Sequence, residues 1–173
     1  MSQRATFYRI NEKEFLQLGD IPEDIELSNI TKEDITLEGT HEGIRFILSK
    51  SDDDEAAVLT DQIFYPDTFL GDEAGLDDID NLLNGNDAVY YNEPEKVAAI
   101  ASVLETISMD DFRALFDYEE LNENDVYPAG NWNDHTGTNS AFNEDHITEE
   151  FDLLKNLFIN AKKEGDYVLI FIE

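Results

Sequence analysis

Cysteine is absent from this chain. Disulfides and thiolate chemistry are therefore excluded, and a reducing compartment is compatible with the sequence. Basic residues are scarce: 11 Lys+Arg stand against 41 Asp+Glu, a formal net charge of −30 over 173 residues. That balance disfavours nucleic acid and anionic membranes as direct ligands and favours a cationic partner. No window approaches about 18 uninterrupted apolar residues, so no membrane-spanning helix is expected. The opening MSQRATFYRI has two arginines but lacks the apolar stretch of a secretory signal. The expectation is a soluble, cytoplasmic protein. Catalytic signatures are missing too. There is no HExxH, HxH or CxxC pattern, no GxSxG elbow and no phosphate-cradling glycine loop. No cofactor, metal site or catalytic residue is expected.

What is present argues for a folded domain. Hydrophobic residues make up 41% of the chain and aromatics 11%, with 11 Phe and 7 Tyr. Disordered acidic chains lack such a store of apolar surface. A chain of this length buries roughly 70% of the surface its unfolded form exposes, and one domain over 1–173 is the expectation.

The apolar residues fall into periodic segments. ATFYRI, residues 5–10, reads as a strand. Asn11 is placed to cap a helix with Glu12 and Glu14 in its first turn and Phe15 and Leu18 on one face. Pro22 suits the start of a second short helix carrying Ile21, Ile25 and Leu27. Leu37, His41, Ile44 and Leu48 recur at helical spacing and predict a helix over 37–49, although Ile44-Arg45-Phe46 also permits a strand. Ser51-Asp52-Asp53-Asp54-Glu55 caps and charges the start of a further helix through Ile63. Residues 67–87 form the least regular stretch, broken by Gly71, Gly75, Asn84 and Gly85. Asp87–Tyr91 reads as extended.

Pro94 opens a helix with Val97, Ile100, Ala101, Leu104 and Ile107 on its apolar stripe. Ser108 and Asp111 have the spacing of a capping box for the next helix, whose buried face is Phe112, Leu115 and Phe116. Asp117 caps one more turn, ending near Leu121. Residues 122–146 form a loop of functional size. The last helix starts at Asp145 or Thr148, buries Phe151, Leu154, Leu157, Phe158 and Ala161, and ends at Gly165. Tyr167–Ile172 is a nearly continuous apolar run, a strand buried on both faces, with ATFYRI its natural neighbour. The fold class is α+β: one domain, a small mixed sheet including the N- and C-terminal strands, packed by several helices.

Five segments carry a resemblance. They are Tyr8-Arg9-Ile10 before a Glu-Phe-x-x-Leu helix, Gly43-Ile44-Arg45-Phe46-Ile47-Leu48, and Val89-Tyr90-Tyr91 leading to an alanine-rich helix. Val126-Tyr127-Pro128 with Trp132 follows, and then Leu154–Phe158 through Gly165–Ile170. In this order they resemble the YfbM-like family, domain of unknown function 1877, over nearly the whole chain. The chain departs from that pattern at Thr40-His41 and at Asn84–Asp87. The resemblance implies a mixed α/β fold with no established activity.

Each chemical candidate has a plain alternative. His135 and His146 share a loop with Asp134, Glu144 and Asp145, but three or four ligands in fitting geometry are needed for a metal. Solvated or capping roles suit them better. His41, on an apolar helix face, is expected to be packed and bonded to backbone. The aspartates at 52–54 and 77–80 fail the EF-hand template, since Leu83 stands where its glycine belongs; the plain alternative is a solvated acidic face. Tyr127, Trp132, Asn131 and Asn133 have the composition of a recognition surface. Equally, Tyr127 and Trp132 can pin the loop to the core.

Charge is unevenly placed. No Lys or Arg occurs between Ser51 and Glu95, nor between Ala114 and Leu154. If these stretches share a face, its field steers basic proteins. The leading expectation is a non-catalytic binding module for a basic partner, as in an immunity protein that neutralises a toxin. Asp52, Asp53, Asp54, Asp77, Asp78, Asp80, Tyr127 and Trp132 are its partner-binding residues. The competing expectation is a small enzyme or ligand-binding domain with a pocket under the 122–146 loop, where two or more of Tyr127, Trp132, His135 and His146 converge.

Overall fold

The computed structural model describes residues 3–18, 32–70, 89–137 and 139–173. The helix expected after Pro22 and the aspartates Asp77, Asp78 and Asp80 lie outside them. The described elements are β1 (Ala5–Ile10), α1 (Glu12–Leu18), β2 (Glu33–Leu37), α2 (His41–Leu48), α3 (Asp54–Asp61), β3 (Thr68–Leu70) and β4 (Val89–Asn92). Then come α4 (Pro94–Glu105), α5 (Met109–Ala114), α6 (Tyr118–Glu123), α7 (Glu144–Glu164) and β5 (Tyr167–Ile172).

The strands form one sheet in the order β2-β1-β5-β4-β3. β1 and β5 are its centre, in register from Ala5↔Ile172 to Ile10↔Tyr167. The α+β class holds. All four pairings are antiparallel, so the sheet is not mixed. Antiparallel pairing follows from the chain path: β1 and β2 pair at the edge as neighbours in sequence, and α7 returns the chain alongside β1.

The apolar run of β5 is divided between two sides of the sheet. Val168 and Ile170 join Ala5, Phe7, Ile44, Leu104, Phe151, Leu154 and Phe158 in the main core. Leu169 faces the other way, with Ile10, Phe15 and Leu18. Burial on both faces explains why this strand shows no polar alternation. α7 runs across the main face against α4 and β2. Its expected stripe is fully buried. Asn143 caps it by accepting from the His146 N–H. Gly165 closes it at φ +68°, a left-handed position that favours glycine. The helix therefore starts slightly earlier than the sequence suggests.

Three other expectations change. Leu37 ends β2 rather than opening a helix: it pairs with Ala5, and Gly39 at φ +87° turns the chain before α2. Its helical spacing to His41 is coincidental. β3 lies at the start of the stretch expected to be irregular, where Phe69 pairs with Tyr90. Leu115 is 43% exposed, because α5 stops at Ala114 and leaves Leu115 beyond its buried face. The capping box of Ser108 and Asp111 is formed as expected.

Candidate functional site

α2 has two unlike faces. Gly43, Ile44, Ile47 and Leu48 are buried, while Glu42, Arg45, Phe46 and Ser49 recur at helical spacing on the other side. That second face is one wall of an open cleft of about 590 Å³. Asp61, the last residue of α3, and Tyr65 just beyond it form another wall. Asn124, Asp125, Val126 and Tyr127, the turn after α6, form a third, and Gln3 reaches in beside β1. The cleft thus joins residues from both cation-free stretches. Among the described residues it holds three carboxylates, those of Glu42, Asp61 and Asp125, against the single guanidinium of Arg45.

Arg45 lies across the cleft. Its Nε donates to Asp61 Oδ1 at 2.6 Å and its Nη1 to Glu42 Oε2 at 3.3 Å. Its guanidinium carbon stands 4.5 Å from the centre of the Tyr65 ring, a cation–π arrangement. The Tyr65 hydroxyl donates to Glu42 Oε1. Partial burial, and then this bond to a carboxylate, push the Tyr65 pKa up to about 12. Tyr127 is held by its own hydroxyl, which accepts from the Gln3 N–H at 2.8 Å. Asp125 adopts φ +53°, a left-handed position that aspartate tolerates better than most side chains. The nearby Lys50 is drawn off by Glu120 and the Leu115 carbonyl.

The far half of the 122–146 loop is built for support. Trp132 is 3% exposed and packs between Phe116 and Phe142. Its Nε1 donates to the Val126 carbonyl at 3.0 Å. The indole lies so close to α2 that a Cβ on Gly43 would be 2.6 Å from Trp132 Cζ2. The amides that suggested recognition are staples. Asn133 donates to the carbonyls of Asn131 and Ala141. Asn122, which the sequence did not single out, accepts from the N–H groups of Gly130 and Trp132 and donates to the Trp132 carbonyl.

The sequence leads one to expect two or more of Tyr127, Trp132, His135 and His146 to converge, but all four part company. Tyr127 lines the cleft and Trp132 is in the core. His135 is exposed, with Nδ1 3.4 Å from Ser140 Oγ. His146 is half-buried, with Nε2 3.3 Å from Glu150 Oε1. No shared pocket forms from them among the described residues.

Glu150 is the hub of a buried polar cluster. It accepts from the Glu38 N–H at 2.8 Å and from the Thr40 hydroxyl. Thr40 sits at the N-cap position of α2, yet its hydroxyl serves Glu150 and not the helix. His146 Nδ1 accepts from the Phe142 N–H at 3.1 Å, which leaves the proton on Nε2 facing Glu150. The bond to Glu150 raises the His146 pKa; the Phe142 N–H opposes a second ring proton, since it needs the Nδ1 lone pair.

His41 differs. It is 1% exposed, and neither ring nitrogen has a hydrogen-bond partner among the described residues. The expected bond to backbone is therefore not made. The ring starts α2, where Thr40 has already turned away and the helix offers only N–H donors. Burial pushes its pKa below 6.5, while Glu42 and Glu150 pull the other way.

Of the expected partner-binding residues that are described, Tyr127 alone lines the cleft. Asp52, Asp53 and Asp54 are exposed at the opposite end of α3 from Asp61. Asp53 is its N-cap, accepting from the N–H groups of Glu55 and Ala56. Glu42, Asp61, Tyr65 and Asp125 carry the site instead. Among so many carboxylates they bear no local mark; the Glu42-to-Arg45 spacing is a common surface pair.

No helix among the described residues is long and apolar enough to cross a membrane. Comparison with curated proteins finds no match. Among solved structures, the crystal structure of YfbM from Escherichia coli, a protein of unknown function, matches with a TM-score of 0.62 at 16% identity. The match covers 98% of this chain and 99% of that one, and at this identity it establishes a shared fold. The family model for the domain of unknown function DUF1877 matches residues 1–171. With the antiparallel sheet, the long α7 and the YfbM-like architecture in place, the chain belongs to the DUF1877 family.

Proposed function

We propose that this chain is a binding module that takes a basic segment of a partner protein into the cleft beside α2. One observation carries the proposal: the two cation-free stretches meet there, with three carboxylates and the rings of Tyr65, Tyr127 and Phe46 around a space large enough for side chains. Carboxylates pair with Lys and Arg, and aromatic faces stack on guanidinium groups. Arg45, seated on Tyr65 between Glu42 and Asp61, already displays that mode of holding a cation. The charge of −30 adds long-range attraction for the same class of partner. A basic toxin is one such partner.

The test is a titration of the full chain with a short Arg- and Lys-rich peptide, followed residue by residue by NMR. Shifts should centre on Glu42, Asp61, Tyr65, Asp125 and Tyr127, and affinity should fall as salt screens the charges. Shifts scattered over every acidic face, or an affinity indifferent to salt, would count against the cleft.

A further inference from the structure

His41 lies behind the wall of the cleft. Its Nε2 is 4.0 Å from Glu42 Oε1, too far for a hydrogen bond and near enough for an ion pair once the ring is charged. Its ring centre is 6.1 Å from that of Tyr127. Among the described residues, the charged groups whose fields act on it are Glu42 from α2 itself and Glu150 from α7.

These two carboxylates are not equally free to respond. Glu150 is buried and has the Glu38 N–H, the Thr40 hydroxyl and His146 on it. Moving it would strand the buried Thr40 hydroxyl and leave the part-buried Glu38 N–H and His146 ring without their acceptor. Glu42 is at the cleft surface, holding only the Tyr65 hydroxyl and Arg45 among the described residues. Both of those are partly exposed, and water or Asp61 can take over from it.

We propose that His41 is a proton sensor for the cleft: a proton on its ring draws the Glu42 carboxylate off Tyr65 and Arg45 and onto Nε2. The bistable element is one side chain. With His41 neutral, Glu42 faces the cleft. With His41 charged, a buried cation needs an acceptor, and Glu42 is the nearest one able to move. The N-terminal turn of α2 adds to that need, because its N–H dipoles oppose positive charge there. Glu42 then no longer serves a basic segment, so the cleft holds such a segment less well in acid. This loss of grip rests on the function proposed above; the movement of Glu42 does not. Burial sets the transition below the usual histidine range, with Glu42 and Glu150 limiting the shift.

The experiment is an NMR titration of the intact protein from roughly pH 8 down to about pH 4, which reaches below the usual histidine range; a His41 ring that stays neutral throughout refutes the sensor. Its reporters are the His41 ring, the Glu42 carboxyl carbon, the Tyr65 ring and Arg45 Nε. The four signals should move with one midpoint. In Glu42→Gln the His41 midpoint should fall, because an attractive charge is gone, and Tyr65 and Arg45 should stop following it. If His41 titrates while Tyr65 and Arg45 stay still, the sensor is refuted. The same holds if Tyr65 and Arg45 shift unchanged in His41→Phe; should that variant fail to fold, Glu42→Gln alone decides. Adding the basic peptide separates the two proposals. Coupled signals with no peptide in the cleft would keep the sensor and reject the binding function. Peptide bound equally at both ends of the range, with uncoupled signals, would do the reverse.

Discussion

Two regions served by the same loop meet α2 from different sides and have opposite character. Around Trp132 and Glu150 the polar groups are matched. The indole N–H has the Val126 carbonyl, and Glu150 has Glu38, Thr40 and His146. At the cleft, carboxylates outnumber cations among the described residues, Tyr65 is half exposed, and His41, buried behind its wall, has no hydrogen-bond partner among them. The first arrangement is what a support requires, since an unmatched buried polar group costs about 1–3 kcal/mol. The second leaves carboxylates facing an open space, as the binding proposed above requires. Aromatic and amide composition drew attention to the loop as a whole. Its far half holds the fold, and among its described residues the turn at 124–127 lines the cleft.

Substitutions should divide along that line. The largest effect is expected for Trp132→Ala, which empties the space between Phe116, Phe142 and α2. A loss of about 3–5 kcal/mol in denaturant unfolding is expected. A loss under about 1 kcal/mol would mean that the loop is not a support.

Gly43→Ala comes next. One methyl group directed at the indole should cost about 1–3 kcal/mol by overpacking. The double variant Gly43→Ala with Trp132→Phe should recover part of that loss if the contact is the cause. Additive losses would point elsewhere.

The two histidines give a smaller, pH-dependent effect of opposite sign. The folded-state pKa of His41 is lowered, so the unfolded chain binds its proton more readily. Its contribution to stability is full above pH 6.5 and falls as pH drops toward the folded value. The pKa of His146 is raised, so its contribution is full below 6.5 and is lost as pH rises through the folded value. In stability measured against pH, His41→Phe should flatten the acid side and His146→Asn the side above 6.5. Curves that keep the wild-type shape would show that neither ring titrates as its surroundings imply.

The fold was more legible than the site. α7 and β5 are announced by a long apolar stripe, a closing glycine and a run without polar residues, each a strong local signal. β2 was hidden because Leu37 falls at helical spacing from His41, and only its pairing with Ala5 shows the strand. The cleft is assembled from 3, 42–49, 61–65 and 124–127, which the sheet and helix packing bring together. Tyr127 stood out as an aromatic beside a proline. Glu42, Asp61 and Asp125 did not, because no periodicity marks which of many acids will face one another. That neither ring nitrogen of His41 has a hydrogen-bond partner among the described residues is likewise a tertiary fact, which no local pattern in the sequence marks.

The most direct test sets the cleft against acidity in general. Asp61→Asn with Asp125→Asn removes two charges from the cleft; Asp52→Asn with Asp54→Asn removes two from the far end of α3. Both double variants have the same net charge, and both should change stability by less than about 0.5 kcal/mol as surface substitutions. Affinity for the basic peptide is the measurement, by calorimetry at physiological salt. The expected result is about a tenfold loss for the cleft pair, roughly 1.4 kcal/mol, and little change for the other. Equal losses in both would show that the charge acts diffusely and that the cleft beside α2 is not the binding site.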